Sequence, residues 1–193
     1  MIGINDVLQE FYSIYGRTFY SRYDYEDVPS DGAIALVSHL DKILKSGSLD
    51  KTVHISASTR TSTKFTVLGL HYFEYKDPID HLTSKGHGQV MDFADGSRVV
   101  FRLSSQGTST VRMYVERYVP AEAGPAELAK PVADGLKGLI EVALAISKLE
   151  EFLGRDRPTV ITVSYRRSIS LYDTDRFFPS NKCHERNRKH RIY

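Results

Sequence analysis

The stretch DFADGSRVVFRLSSQGTSTVRMYVERYV, residues 92–119, decides the fold. Asp95-Gly96 is a hairpin signal between two alternating runs. After it, Val99, Phe101 and Leu103 share one face of a strand, and Arg98, Val100 and Arg102 share the other. The next run repeats the pattern, with Val111, Met113 and Val115 alternating with Arg112, Tyr114 and Glu116. If the apolar sets face a core, Arg102 and Arg112 point away from it. The small-residue loop 103–109 between them carries Ser104, Ser105, Gly107, Thr108 and Ser109. Two planar guanidiniums, hydroxyl donors and a glycine that admits close backbone approach suit an anion, most naturally a phosphate. Spacing alone favours a solvated hairpin tip with two surface arginines, and no G-x-x-x-x-G-K-[ST] motif is present.

Outward from this hairpin, helical spacing of Ile4, Val7, Leu8, Phe11 and Ile14 predicts a first helix, capped by Asn5 or Asp6 and ended by Gly16. The aromatic run 18–28 is extended, a strand or a connecting segment. Pro29-Ser30-Asp31 starts a second helix with an apolar stripe of Ala33, Val37, Leu40 and Leu44. The Ser/Thr-rich segment 51–63 has weak periodicity. A strand is expected over 65–75, broken by Asp77-Pro78, with a polar loop over 81–88. Strands follow around 90–94, 97–103 and 110–119. Beyond 120–125, Leu139, Val142, Ala143, Ile146, Leu149 and Leu153 form the stripe of one long helix, ended by Gly154 and Pro158. Hairpin-linked strands with helices segregated at either end predict an α+β domain built on a four-stranded antiparallel sheet with flanking helices.

The 193-residue chain has a net charge of +2, too small to imply a nucleic-acid partner for the whole molecule. It shows no apolar run of membrane-span length and no signal-peptide core. Its single cysteine, Cys183, excludes a disulfide framework and a Cys-based zinc site, so the expected setting is the cytoplasm. His39, His54, His71, His81 and His87 lack paired metal spacing, and no metal ligands are assigned. His71 reads as a satisfied structural histidine in a strand. Lys85-Gly86-His87-Gly88 reads as a polar loop despite its phosphate-friendly composition. The end of the chain is basic through Lys182, Arg186, Arg188, Lys189 and Arg191, and reads as a disordered extension.

Five segments in order, YGRTFYSRYDYEDV (15–28), FEYKDPID (73–80), FADGSRVVFRLS (93–104), VRMYVERY (111–118) and GRDRPTVIT (154–162), strongly resemble the C-terminal part of α-D-phosphoglucomutases. The resemblance runs from about residue 5 to 162. It implies the last helix of the family's third domain at 1–17, the TATA-binding-protein-like fourth domain at 18–162, and an unrelated tail at 163–193. Complete family members interconvert glucose 1-phosphate and glucose 6-phosphate, an intramolecular phosphotransfer. They use a phosphoserine, Mg²⁺ on an Asp-x-Asp-x-Asp loop, and glucose 1,6-bisphosphate. In them the last domain clamps the non-reacting phosphate, which is positioning and charge neutralisation rather than nucleophilic attack.

By this resemblance Arg102, Ser104 and Arg112 correspond to the family's phosphate-loop Arg, Ser and Arg. Gly107 and Thr108 correspond to its Gly-Ser pair, and Arg22 to an arginine near the hinge and cleft. A surface salt bridge with Asp24 or Glu26 is the alternative for Arg22. The usual loop, Arg-Leu-Ser-Gly-Thr-Gly-Ser-x-Gly-Ala-Thr-Ile-Arg, is altered here. Ser105-Gln106 replaces Gly-Thr, and the loop is two residues shorter before Thr110-Val111-Arg112.

The Thr-Ala-Ser-His-Asn phosphoserine motif, the Asp-x-Asp-x-Asp loop and the Gly-Glu-Glu-Ser sugar loop do not occur in this sequence, and Ser58 lacks the following His. No catalytic residue is therefore assigned, and no cofactor is expected on this chain. The expected function is that of a phosphoglucomutase fragment supplying the phosphate-binding loop and inactive by itself. A non-catalytic sugar-phosphate-binding module is the alternative. The expected partners are glucose phosphates and the missing phosphoglucomutase domains, with no membrane.

Overall fold

A computed structural model describes residues 3–47, 55–56, 64–104 and 109–163. In chain order the elements are α1 (Ile4–Tyr15), β1 (Arg17–Val28), α2 (Ser30–Ser46), β2 (Ile55–Ser56), β3 (Lys64–Phe65), β4 (Val67–Lys76), β5 (Thr83–Phe93), β6 (Arg98–Ser104) and β7 (Ser109–Val119). A 3₁₀ turn (Ala121–Ala123), α3 (Pro125–Leu128), α4 (Val132–Ser147), α5 (Leu149–Leu153) and β8 (Val160–Val163) complete them. The main sheet has the order β4-β5-β6-β7-β1-β8, and all its pairings are antiparallel.

The α+β class with an antiparallel sheet is observed, but the main sheet has six strands rather than four. The two additional strands are β1 and β8. The 18–28 run is a full strand in the sheet interior, pairing with β7 on one side and β8 on the other. β8 is held to β1 by backbone pairing and by the Thr159 N–H donating to the Asp24 carbonyl at 2.7 Å. A strand this short, ITV-like and half-exposed, has no periodicity strong enough to announce itself.

One sheet face carries the core. Tyr23, Tyr25, Met91, Val99, Phe101, Met113 and Val115 are buried there together with Leu36 and Leu40 of α2 and Leu136, Leu139 and Ile140 of α4. The α4–α5 stripe is buried as expected. The single long helix is instead two, because Lys148 adopts a left-handed conformation (φ 53°) that ends α4 and reorients α5. In α2 the buried stripe is Ala33, Leu36 and Leu40, with Leu36 in place of the expected Val37. Gly32 lets α2 approach α5: a Cβ there would lie 2.3 Å from the Phe152 carbonyl oxygen. Gly32→Ala is expected to lower stability by about 2 kcal/mol through this overpacking, read from the midpoint shift in urea unfolding.

The expected polar loop at 81–88 is largely strand. β5 begins at Thr83 and pairs with β4 through Lys76↔Thr83 and Tyr75↔Ser84. Backbone pairing sets this arm, since much of the β4 side of the hairpin is exposed and gives no burial pattern to read. The Asp77 carboxylate accepts from the Ile79 and Asp80 N–H groups to shape the turn. His71 lies in β4 with both ring nitrogens partnered, one to the Tyr72 carbonyl and one to Asp92 at 2.8 Å, as expected for a satisfied structural histidine.

α1 is capped by Gly3 rather than Asn5 or Asp6, with Asp6 accepting from the Gly3 N–H. None of its residues is buried, and Ile4, Val7, Phe11 and Ile14 are each more than half exposed. It is anchored at its end by the Tyr118 hydroxyl donating to the Tyr15 carbonyl, and by Arg17, which stacks on Tyr12 and Phe19 while donating to the carbonyls of Leu128 and Lys130. Ser58, His54 and the 164–193 tail with Cys183 lie outside the described residues, as does the side chain of His87.

Candidate phosphate-binding site

The sheet face opposite the core is where the candidate site forms. In the β6–β7 hairpin Arg102 is directly opposite Arg112, and Ser104 is opposite Thr110, two residue pairs nearer the hairpin loop. The alternation that buries Phe101, Val111 and Met113 sends both arginines to the open face, as their spacing requires. Gly88 of β5 makes room for this arrangement. A Cβ at that position would lie 2.4 Å from the Phe101 carbonyl oxygen and 2.9 Å from Arg102 Cγ. Gly107 and Thr108, with Ser105 and Gln106, lie outside the described residues.

β1 extends the charged surface. Asp24 sits opposite Arg112, and Arg22 sits opposite Tyr114 on one side and Thr162 on the other. Asp24 is the buried member, its side chain 5% exposed, while those of Arg22 and Arg112 are 35% and 38% exposed. Arg22 Nη2 lies 2.9 Å from Asp24 Oδ2, and Arg112 Nε lies 4.0 Å from Asp24 Oδ1. The salt-bridge alternative for Arg22 is therefore realised, with Asp24 as partner. Arg22 also donates to Thr162 Oγ1 at 3.4 Å. Charge compensation is incomplete: Arg22 and Arg112 share the Asp24 carboxylate, and Arg102 lies opposite Arg112. Arg22 Nε, Arg112 Nε and Asp24 Oδ1 are buried atoms without a hydrogen bond. Among the described residues no carboxylate pairs with Arg102, which is exposed.

The hairpin is tied down near its loop, where Ser109 and Ser30, at the start of α2, share a hydroxyl–hydroxyl hydrogen bond of 2.8 Å. Beside Arg102, a groove of about 240 Å³ runs over Val100 and Tyr114, flanked by Tyr20 and Phe73. At its far side Arg98 makes a forked contact with Glu116 Oε2, at 3.0 and 2.8 Å, and is thereby neutralised. Burial is the main cause pushing the Tyr20 hydroxyl above its ordinary ionisation range, with neighbouring Tyr114 adding to it.

Of the candidate residues, the structure brings Arg102, Ser104 and Arg112 together on two paired strands and sets Arg22 on the next strand, two residue pairs from Arg112. Sequence reasoning named Asp24 only as a surface partner. The alternation in SRYDYE does place Arg22 and Asp24 on one face, but nothing in it predicts that Asp24 would also meet Arg112. Chemically, the arrangement offers fixed positive charge and hydrogen-bond donors. Among the described residues no group of three or more His, Cys, Asp or Glu side chains could hold a metal ion. Also among them, no helix is long and apolar enough to cross a membrane.

Comparison with known proteins agrees with this architecture. Residues 17–159 match the family model for the phosphoglucomutase-1 C-terminal domain. The chain is 40% identical over 164 residues to a cytoplasmic phosphoglucomutase of Solanum tuberosum, an alignment covering 84% of this chain and 27% of that protein. It is 41% identical over 165 residues to a chloroplastic phosphoglucomutase of Marchantia polymorpha, covering 84% and 23%. Among solved structures it is similar to the open form of parafusin, an exocytosis-sensitive phosphoprotein and phosphoglucomutase from Paramecium. The TM-score is 0.64 at 31% identity, with 82% of this chain and 25% of that one covered. The chain thus spans about a quarter of the length of these relatives.

Proposed function

Since the chain belongs to the phosphoglucomutase family, through that family's C-terminal domain, we propose that it is the substrate-holding portion of a phosphoglucomutase, with Arg102 and Arg112 clamping the phosphate of a glucose phosphate. The observation that supports this most is the in-register Arg102↔Arg112 pair on the open face, beside the hairpin loop. Two guanidiniums can present parallel N–H donors to phosphate oxygens while staying charged at any physiological pH. Ser104 adds a hydroxyl on the same strand face, Gly107 and Thr108 are carried over by the family resemblance as further phosphate contacts, and Arg22 adds charge from the neighbouring strand. The order of events on this chain is capture, charge neutralisation and orientation of one phosphate, leaving the other end of the sugar free to react elsewhere.

In this reading 1–17 belongs to the preceding domain and 18–162 is the C-terminal domain. The exposed apolar side of α1 is consistent with a helix whose neighbours lie in the preceding domain. Mg²⁺, implied for a complete member, finds no fitting group of ligands among the described residues. Interconversion of glucose 1-phosphate and glucose 6-phosphate is the activity proposed for the whole assembly, with the chain inactive alone, and glucose 1,6-bisphosphate is the ligand proposed for it. The cytoplasm is the proposed compartment, with relatives named both cytoplasmic and chloroplastic.

Calorimetric titration of the full chain with glucose 1,6-bisphosphate tests the clamp. Arg102→Ala is expected to weaken binding about tenfold or more, the loss of one charge-assisted contact. Unchanged affinity in that variant sinks the assignment. The altered loop, with Ser105-Gln106 in place of Gly-Thr, gives specific support to the second reading, a binding module without catalysis. A mutase assay with the chain alone and with the remaining domains supplied separately distinguishes the two. Restored turnover supports the fragment, and binding without restored turnover supports the module.

A further inference from the structure

On the core side of the sheet, away from the arginine row, lies a cavity of about 530 Å³ between β1, the α4–α5 junction and residues 155–156. Its volume is that of a small-molecule site. Tyr25 lines it, and it stands next to Asp24 on the strand with its side chain on the opposite face. The Tyr25 ring is wholly buried, and its hydroxyl makes no hydrogen bond. A buried hydroxyl without a partner is destabilising unless something supplies one.

The surroundings of the cavity are built from two unusual backbone positions. Lys148, on its wall, is the left-handed residue that separates α4 from α5. Asp27, also at positive φ (52°), lies in the irregularity where β1 shifts register between Tyr25 and Val28. Arg155, another lining residue, is fixed to this bulge by donating to the Asp27 carbonyl at 3.1 Å and to Thr159 Oγ1 at 3.3 Å. Bulges and left-handed residues of this kind concentrate at binding sites, where surrounding structure holds them.

The lining selects a chemistry. Lys148 and Arg155 supply positive charge, and Glu150, Glu151 and Asp156 supply negative charge. Lys148 is partly satisfied by Glu151 at 3.5 Å. A phosphate meets three carboxylates, and a simple cation meets two fixed cations. A neutral molecule with alternating donors and acceptors fits a lining of mixed sign, with its less polar side against Leu144 and Leu149. The Tyr25 hydroxyl can donate to or accept from such a molecule. Burial, then neighbouring Tyr23, Asp156 and Glu150, push its ionisation upward, so it stays a neutral hydroxyl.

We propose that this cavity binds a small polyhydroxylated ligand, an unphosphorylated sugar or polyol, through the Tyr25 hydroxyl and the carboxylates of Glu150 and Asp156. The site is separate from the phosphate clamp, and neither depends on the other. The test is an amide NMR titration of the full chain with glucose, and in parallel with inorganic phosphate.

Glucose at millimolar concentration is expected to shift amides in 144–156 saturably, and phosphate is not. Tyr25→Phe is expected to weaken the glucose response about tenfold while leaving the thermal midpoint at neutral pH unchanged or raised, because the hydroxyl has no partner in the free protein. Glu150→Gln, a surface change that leaves the core intact, is expected to weaken it as well. Absence of shifts with glucose at tens of millimolar, equal shifts in Tyr25→Phe, or phosphate shifting these amides would each overturn the proposal. Phosphate shifts at 100–104 and 109–114 report on the clamp, so either reading can fail while the other stands.

Discussion

Asp24→Ala is expected to lower the stability of the chain by about 3 kcal/mol, measured by urea unfolding at neutral pH. Asp24 is 4% exposed and lies between two arginines on the open sheet face. Its removal leaves Arg22 and Arg112, diagonal to one another on paired strands, without the carboxylate that separates them. Breaking a buried ion pair from one side leaves an uncompensated charge, and that is the source of the loss. Both arginines are about one-third exposed, so solvent screens part of the penalty and keeps the loss at the low end of what fully buried pairs show.

The same residue gives the proposed clamp a sharper signature. Asp24→Asn keeps an oxygen acceptor for Arg22 but removes the negative charge, so stability should fall less than with alanine. With that charge gone, Arg112 is no longer partly neutralised at 4.0 Å, and affinity for glucose 1,6-bisphosphate should rise several-fold, most strongly at low salt. Weaker binding in Asp24→Asn would mean that Asp24 positions the clamp rather than competing with its ligand.

Alkaline pH should unfold the chain steeply, through Tyr23 and Tyr25. Both rings are wholly buried in the core beneath β1. Burial is the largest cause raising each hydroxyl well above its ordinary range. The Ser21 side chain partly offsets the effect at Tyr23, while Tyr23 and nearby carboxylates add to it at Tyr25. In the unfolded chain the same groups titrate near pH 10. Their contribution is therefore complete below pH about 10 and is lost as pH rises above it, because the unfolded state releases protons that the folded state keeps. Each group then removes about 1.4 kcal/mol of stability per pH unit. Urea midpoints between pH 9 and 11.5 should show this fall, and Tyr25→Phe should remove about half of the excess slope. An equal slope in that variant would show that the Tyr25 hydroxyl ionises in the folded protein as readily as in the unfolded one.

How much of this was legible beforehand differs from element to element. The β6–β7 hairpin was readable because strict alternation from Arg98 to Val119 states which face is buried, and the structure keeps those faces. The α4–α5 stripe was readable for the same reason at helical period, but the break at Lys148 was not, because an αL lysine leaves no trace in hydrophobic spacing. β8 was missed because four residues with an alternating, half-exposed pattern carry too little information, and its existence depends on β1 offering an open edge. The β5 arm reads as a loop in the sequence because its polar residues are set by pairing with β4 and not by a core.

The site divides in the same way. Arg102, Ser104 and Arg112 follow from alternation plus family resemblance, since residues two apart on a strand share a face whatever they pack against. Alternation and motif order therefore carry the family, the α+β class and the outward direction of these side chains. The burial of Asp24 between Arg22 and Arg112, the space Gly88 leaves for Arg102, and the unpartnered Tyr25 hydroxyl beside a cavity come from the packed fold. Each of these depends on which strand lies beside which and in what register. Register is a sum of many weak pairings across residues far apart in the chain, so no local stretch of sequence contains it.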